Sequence, residues 1–300
     1  MSDTDDRQII LHIGYPKAAS SFLRRDFFAP ATENLIVPRG RYLDLLHAGR
    51  DITQVRRMIL NLAPEPDRTI VVSNENLAGR SLWTPTGALD ICRTWYEAFP
   101  ESRIVIVIRE QRDYVLSAYK YAVYTGHHLP RIEAFLRANR LPLLQKICYD
   151  KLIEAYQQRF GIDNVCVLPV EMLASDQAGF YDRLVKFTGL QRSTAPRGTV
   201  SNKSPSNWRY IEVLRQANAV LRYVASTERA LRRLRQGNRV DDGAHRIVVY
   251  RGIVDRFAGL CGQSSFDGQL FDPDEEAMIA ESNRVTARLT RLDLKRYDYL

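Results

Sequence analysis

The chain has 300 residues, 45% hydrophobic and 26% charged, which is enough apolar material for a full core and sets aside disordered and fibrous classes. No apolar run approaches the roughly 20 residues that span a bilayer, and the polar, acidic start MSDTDDRQ does not read as a secretory signal. Lys and Arg total 43 against 35 Asp and Glu, a net charge of +8 that favours anionic partners without choosing among nucleic acid, lipid headgroups and phosphorylated small molecules.

The first element is a short apolar run, Ile9–Ile13, read as a buried strand that stops at Gly14. A Gly14-Tyr15-Pro16 turn follows, then Lys17, the small Ala18 and Ala19, and two hydroxyls, Ser20 and Ser21, opening a helical pattern over Ala18–Phe28. Strand, turn, lysine, hydroxyls and helix make an anion cradle. The free N–H groups of a first helical turn and the positive end of its dipole face the anion, Lys17 adds a mobile charge, and serines donate without bulk. An ordinary strand–turn–helix with an incidental lysine is the competing reading. The spacing is not that of a Walker A loop, because only Tyr15 and Pro16 separate Gly14 from Lys17 and no Gly-Lys-Ser/Thr end is present.

Further along, Ile70–Ser73, Ile104–Ile108 and Val165–Val170 are continuous β-branched runs, as expected of parallel strands buried on both faces. Helical patterns over Gly87–Ala98, Asp113–Tyr124 and Leu144–Phe160 alternate with them. The sum predicts an α/β fold, a P-loop-like doubly wound parallel sheet flanked by helices, with a helical C-terminal portion. Ligands of such sheets bind beyond the carboxyl ends of the strands, which directs attention to Gly14–Ser21, Ser73–Asn76, Arg109–Ser117 and Glu171. Arg109 ends the third buried run and Ser117 stands eight residues later on the following helix. A guanidinium fork plus a hydroxyl suits a dianionic phosphate; the alternative is that Arg109 only pairs with Asp113. Glu75, after the second run, is placed to accept a proton from an attacking hydroxyl or amine, or else is a surface glutamate at a turn. His12 and His47 compete as bases, His12 reading better as a satisfied core residue. Cys92, Cys148, Cys166 and Cys261 show no CxxC pair or nearby His cluster, which predicts free thiols of a reducing cytoplasm and no metal site.

The segment 192–207 is rich in Ser, Thr, Pro and Gly and reads as a loop. Beyond it, 209–239 carries eight arginines and two acids on a helical pattern with Ile211, Leu214, Leu221 and Val224 on one face. This is a solvated basic face or a contact for an acceptor or the inner membrane surface.

The two main blocks together resemble the sulfotransferase family, whose donor is 3′-phosphoadenosine 5′-phosphosulfate (PAPS). Its 5′ block, roughly PK-x-G-T-T-x-L, is matched by Pro16, Lys17, Ala18, Ala19, Ser20, Ser21, Phe22 and Leu23, and its 3′ block by Arg109 and Ser117. VLPVEMLASD and SNRVTARLTRLDLKRYDYL are similar to the last strand and C-terminal segment of bacterial, carbohydrate-type members. Ala19 stands in place of the usual Gly, and the Arg-Lys-Gly block of cytosolic members is absent.

The resemblance implies one domain over 1–300: a nucleotide-binding core over 1–190, a loop and basic helical region over 191–265 that serves as acceptor or lid segment, and a helical tail over 266–300. It implies PAPS as donor, 3′-phosphoadenosine 5′-phosphate (PAP) as product, no metal, and a sugar or glycolipid acceptor rather than nucleic acid. Gly14, Pro16, Lys17, Ala18, Ala19, Ser20, Ser21 and Phe22 would line the 5′ side, Arg109 and Ser117 the 3′-phosphate. Lys203 or Ser204 would add a further donor contact, and Lys17 and Glu75 would be catalytic. An ATP-dependent kinase and a non-catalytic anion- or membrane-binding protein are the rival expectations.

Overall fold

The computed structural model describes residues 7–48, 52–63, 65, 68–127, 129–191, 207–235 and 264–299. Five parallel strands form one sheet: β1 (Ile9–Gly14), β2 (Leu35–Ile36), β3 (Ile70–Ser73), β4 (Arg103–Ile108) and β5 (Val165–Pro169), in the order β2–β3–β1–β4–β5. Every residue of β1 and β3 is buried, because helices cover both faces of the sheet and leave no solvated side to alternate with.

A helical run, α1 (20–31), joins β1 to β2; α2 (Arg41–Ala48) and α3 (Ile52–Asn61) lead to β3, and α4 (Ala88–Ala98) leads to β4. Then come α5 (Gln111–Tyr124), α6 (Ile132–Ile147) and α7 (Asp150–Phe160) before β5, with α8 (Met172–Ser175), α9 (Gln177–Thr188), α10 (Trp208–Arg235) and α11 (Pro273–Thr290) after it. Right-handed crossovers put α1 on one face, alone among the helices that connect strands, because only the β1-to-β2 connection runs in that direction across the sheet. There Phe27 stacks on Tyr181 of α9 at 5.9 Å. The helices α2, α3, α4 and α7 share the other face, where α11 packs on α7.

Two of the boundaries that differ from expectation show what moved them. The helix expected over Leu144–Phe160 is interrupted at Cys148 and Tyr149, between α6 and α7, and the Tyr149 side chain is wholly buried there. The helix expected from Asp113 starts at Gln111, because the Glu110 carboxylate accepts from the N–H groups of Arg112 and Asp113 and caps it. Strand β2 is too short to stand out as an apolar run.

The described chain divides into two compact units: Met1–Tyr114 with Asn139–Val200 and Phe271–Leu300, and Val115–Ala138 with Ser201–Leu270. One division falls inside α6 at Asn139, whose φ of −118° and ψ of 16° break the helix. Pro142 explains the break, since its ring crowds the carbonyl of Ala138. In the second unit, Asn218 of α10 donates to the carbonyls of Val123 at 2.7 Å and His127 at 3.2 Å. Trp208 stacks on Tyr119 at 5.8 Å and meets Phe266 at 4.8 Å, while Tyr210, Ile211 and Leu214 are buried. No helix among the described residues is long and apolar enough to cross a membrane.

In the first unit α11 opens with a reciprocal cap: Asp272 accepts from the Glu275 N–H and the Glu275 side chain accepts from the Asp272 N–H. Arg140 pairs with both carboxylates. Along α11, Ser282 donates to Asp150, and the Leu289 carbonyl accepts from Gln157 at 2.9 Å. Asp272→Ala removes the cap and one partner of Arg140. The expected result is a loss of about 1–2 kcal/mol, read as a lower urea midpoint at unchanged slope.

Candidate active site

The site forms at the carboxyl end of β1, where the chain first leaves toward β2 and later returns on the other side through β4, the crevice position of an open α/β sheet. Register sets Gly14 beside Val107, and the Tyr15 N–H donates to the Val107 carbonyl at 3.1 Å. The Ala18 N–H then closes the turn on the Tyr15 carbonyl at 3.0 Å. Lys17 and Ala19 both lie in the left-handed region, with φ of 67° and 56°. Left-handed Ala19 followed by helical Ser20 aims successive N–H groups into one concavity, the backbone shape of an anion nest. No side chain caps the helix start at Ser20.

Gly14 is required by close approach, since a Cβ there would stand 1.8 Å from Ser20 Oγ. That hydroxyl is buried and has no hydrogen-bond partner. Pro16 and Ala18 are buried beneath the loop, Ser21 is exposed, and Phe22 is half-buried under the Arg25 guanidinium at 5.9 Å. Ala19, where the sulfotransferase pattern has Gly, occupies a backbone conformation natural to glycine and costly for alanine by roughly 1–2 kcal/mol.

Arg109 follows β4 and reaches across: Nη1 donates to the Lys17 carbonyl at 2.8 Å and Nη2 pairs with Asp113 at 3.1 Å. The Asp113 pairing weighed from sequence is therefore present, but Asp113 is exposed and such a pair contributes little. The Lys17 carbonyl is the contact that joins the two blocks. Arg109 Nε is buried without a partner. The Lys17 ammonium is pushed below the ordinary lysine range by burial first and by Arg109 second, with Glu75 acting the other way. Two cations thus repel across a partly desolvated cleft, which an anion would relieve.

Glu75 opens a 3₁₀ turn, Glu75–Ala78, after β3; the Asn74 side chain accepts from the Asn76 N–H and shapes it. Glu75 Oε2 receives Arg24 Nη1 at 2.8 Å, while Arg24 Nη2 donates to Ser21 Oγ at 3.1 Å. Arg24 therefore bridges the hydroxyl loop and the carboxylate, a link the sequence reading missed. Its spacing of three from Ser21 on one helical face was the available signal. Arg24 also starts a π-helical segment, Arg24–Phe28, within α1; such segments recur at functional sites.

His12 is no base for solvent-borne substrates. Its Nδ1 lies 2.7 Å from Ser73 Oγ, its ring is wholly buried, and burial, then Arg24, lower it to about 3. The satisfied core histidine expected from sequence is only half satisfied, because Nε2 has no partner. His47 lies on α2. Glu171 is structural: it accepts from the Glu110 N–H at 2.9 Å and from the Tyr299 hydroxyl at 3.0 Å, behind Arg109. Burial raises both Glu171 and Glu110. Ser117 is half-buried on α5, in the second unit. Lys203 and Ser204 lie outside the described residues. No group of three metal-ligating side chains occurs among the described residues, and Cys92, Cys148 and Cys166 are free thiols.

No family model matches the chain, and no curated protein matches it. Among solved structures it is similar to a sulfotransferase from Alicyclobacillus acidocaldarius, at 18% identity and a TM-score of 0.46, over 71% of this chain and 92% of that one. It is also similar to mouse sulfotransferase SULT7A1 complexed with PAP, at 14% identity and a TM-score of 0.38, over 69% and 76%.

Gly14→Ala should cost about 1–3 kcal/mol by driving Ser20 from its place, measured by chemical denaturation. His12 predicts an acid limb. Its folded value of about 3 lies below the ordinary histidine value of 6.5, so between them the unfolded chain binds a proton that the fold refuses. Stability should fall as pH drops through that window, and His12→Gln should flatten the melting temperature there.

Proposed function

We propose that this chain is a sulfotransferase that moves a sulfuryl group from PAPS to a hydroxyl or amine of a carbohydrate or glycolipid. The observation that carries the reading is the Arg109 guanidinium seated on the Lys17 carbonyl, which sets two cations at the ends of adjacent strands. The residues fit a doubly phosphorylated nucleotide: Ser20 Oγ and Arg109 Nε are buried donors without acceptors, and the start of α1 is uncapped. Phosphate oxygens supply acceptors and no donors of their own.

When bound, the donor supplies a sulfuryl group activated by its bond to the 5′-phosphate. Lys17 and the N–H groups opening α1 hold the negative charge that grows on that phosphate, a preorganised effect worth a few kcal/mol per donor. Ser20 and Ser21 donate to the 5′-phosphate over the space left by Gly14, with Pro16, Ala18, Ala19 and Phe22 shaping the wall. Arg109 receives the 3′-phosphate, and Ser117 and Lys203 are the further donor contacts that the sulfotransferase resemblance implies. Glu75 takes the acceptor's proton at Oε1 while Arg24 holds Oε2, so the ion pair orients the base. Lys17 supplies the positive charge that a metal would otherwise bring. The basic stretch 208–239 meets an anionic or lipid-linked acceptor, as suits a cytoplasmic enzyme working at the inner membrane surface.

Thermal-shift measurements with PAP, its 5′-monophosphate analogue and ATP test the donor. Stabilisation by PAP alone is expected, and magnesium-dependent stabilisation by ATP would place the chain with kinases instead. Lys17→Ala should lower turnover by roughly a hundredfold or more at unchanged melting temperature; full activity would remove Lys17 from this role. Arg109→Ala should weaken PAP affinity by the roughly 1.5–3 kcal/mol of a charged hydrogen bond, seen by titration calorimetry.

A further inference from the structure

Lys146, near the end of α6, is 1% exposed although it carries an ammonium. Among the described residues no carboxylate pairs with it. Its Nζ donates instead to the carbonyl of Ala78, the last residue of the turn that Glu75 opens. The same Nζ stands 5.3 Å from the ring centroid of Tyr15, the residue that follows Gly14 into the Lys17 loop. The Tyr15 ring meets Tyr149 edge-on at 4.7 Å, and the Tyr149 hydroxyl donates to the Arg109 carbonyl. One buried chain of contacts therefore touches the backs of the loop, the turn and the arginine.

An ammonium buried without a counter-charge is costly, and an apolar side chain of equal volume would fill the same space more cheaply. What a methionine would not supply is the pull on a carbonyl and on a ring face at once. We propose that Lys146 is a positioning residue: held between the Ala78 carbonyl and the Tyr15 ring, it fixes the loop carrying Lys17 against the turn carrying Glu75. The inference rests on the reading that this edge of the sheet receives PAPS, since that is the ligand whose grip it sets.

The charge on Lys146 is conditional, because burial lowers it to about 7. The titratable groups around it are Tyr15 from the loop, Tyr114 and Tyr149 packed on Tyr15, and Cys148 and Asp150, which act on Tyr15. The three phenols and the Cys148 thiol are all raised by burial and stay neutral through this range. As pH rises through about 7 the ammonium, and with it the attraction to the ring, is lost. Stability moves the other way. In the unfolded chain this lysine keeps its proton to about pH 10.4, so above the folded value the unfolded state binds more protons and the fold gains stability with pH.

Lys146→Met tests this, with PAP affinity and melting temperature both followed across the titration. In the wild type, affinity should fall roughly tenfold as pH rises through about 7, while the melting temperature climbs. Lys146→Met should bind PAP roughly tenfold more weakly than wild type on the acid side, melt no lower, and lack the part of each limb that Lys146 contributes. Titration of the phosphates and of Lys17 is common to both proteins and cancels. A folded Lys146→Met protein with wild-type affinity and pH profile overturns the proposal. If Lys146→Met does not fold, Tyr15→Leu removes the ring and gives the same two readouts. If the wild type itself ignores PAP, the donor reading fails, and amide exchange over 14–19 and 75–79 decides for Lys146. Faster exchange in the variant upholds it, and equal exchange overturns it.

Discussion

The hydrogen bond from the Arg109 guanidinium to the Lys17 carbonyl is the contact on which the site depends. Lys17 and Ala19 are held in left-handed backbone conformations that cost L-residues roughly 1–2 kcal/mol each. Such strain persists only where the surroundings determine it from several sides. Here Arg109 grips the carbonyl, Tyr15 is pinned to β4 through the Val107 carbonyl, and buried Pro16 and Ala18 fill the space beneath. The same contact brings two cations together, so the backbone strain and the electrostatic strain belong to one device. An anion placed between the two cations would relieve the electrostatic part.

Behind this edge stands a set of buried and half-buried polar groups that tie the strand ends together. Glu110 caps α5, Glu171 holds the Glu110 N–H, and Tyr299 holds Glu171. Tyr149 reaches the Arg109 carbonyl from another side. On the opposite flank Arg24 joins Ser21 to Glu75. Polar networks in a low-dielectric interior specify geometry more than they add stability, because each unmet partner is expensive. A cavity of about 440 Å³ against β5, α9 and the end of α11, lined by Val165–Leu168, Arg183 and Arg291, lies away from the strand ends that carry this chemistry.

Much of the layout was legible because buried parallel strands leave an unambiguous trace: the runs at Ile9, Ile70, Ile104 and Val165 all became strands within a residue of their expected ends. Helix limits were less legible where side chains decide them. Glu110 moved the start of α5, and the burial of Tyr149 accompanies the interruption between α6 and α7. Strand β2 has two residues, too few for periodicity to register. At the candidate site, Gly14, Lys17, Ser20 and Arg109 were singled out by residue type and spacing, and their roles toward a ligand are those proposed above. Lys146 and Tyr299 were not, and Arg24 offered only its spacing from Ser21, because nothing in local spacing reveals partners 68, 128 or, for Glu75, 51 residues away.

The sequence by itself determined the buried strands, the small-residue turn with its lysine and hydroxyls, and the arginine at the end of a strand, since each is a short-range matter of polarity and backbone freedom. Tertiary structure alone decided which of these meet. The strand order β2–β3–β1–β4–β5 sets the turn after β1 beside Arg109, and buried Lys146 touches both the Ala78 carbonyl in the turn that Glu75 opens and the Tyr15 ring in the loop after β1. The physical reason is that charge and hydrogen bonding act through distances of a few ångströms in space, and the chain brings distant residues that close only when its core is packed.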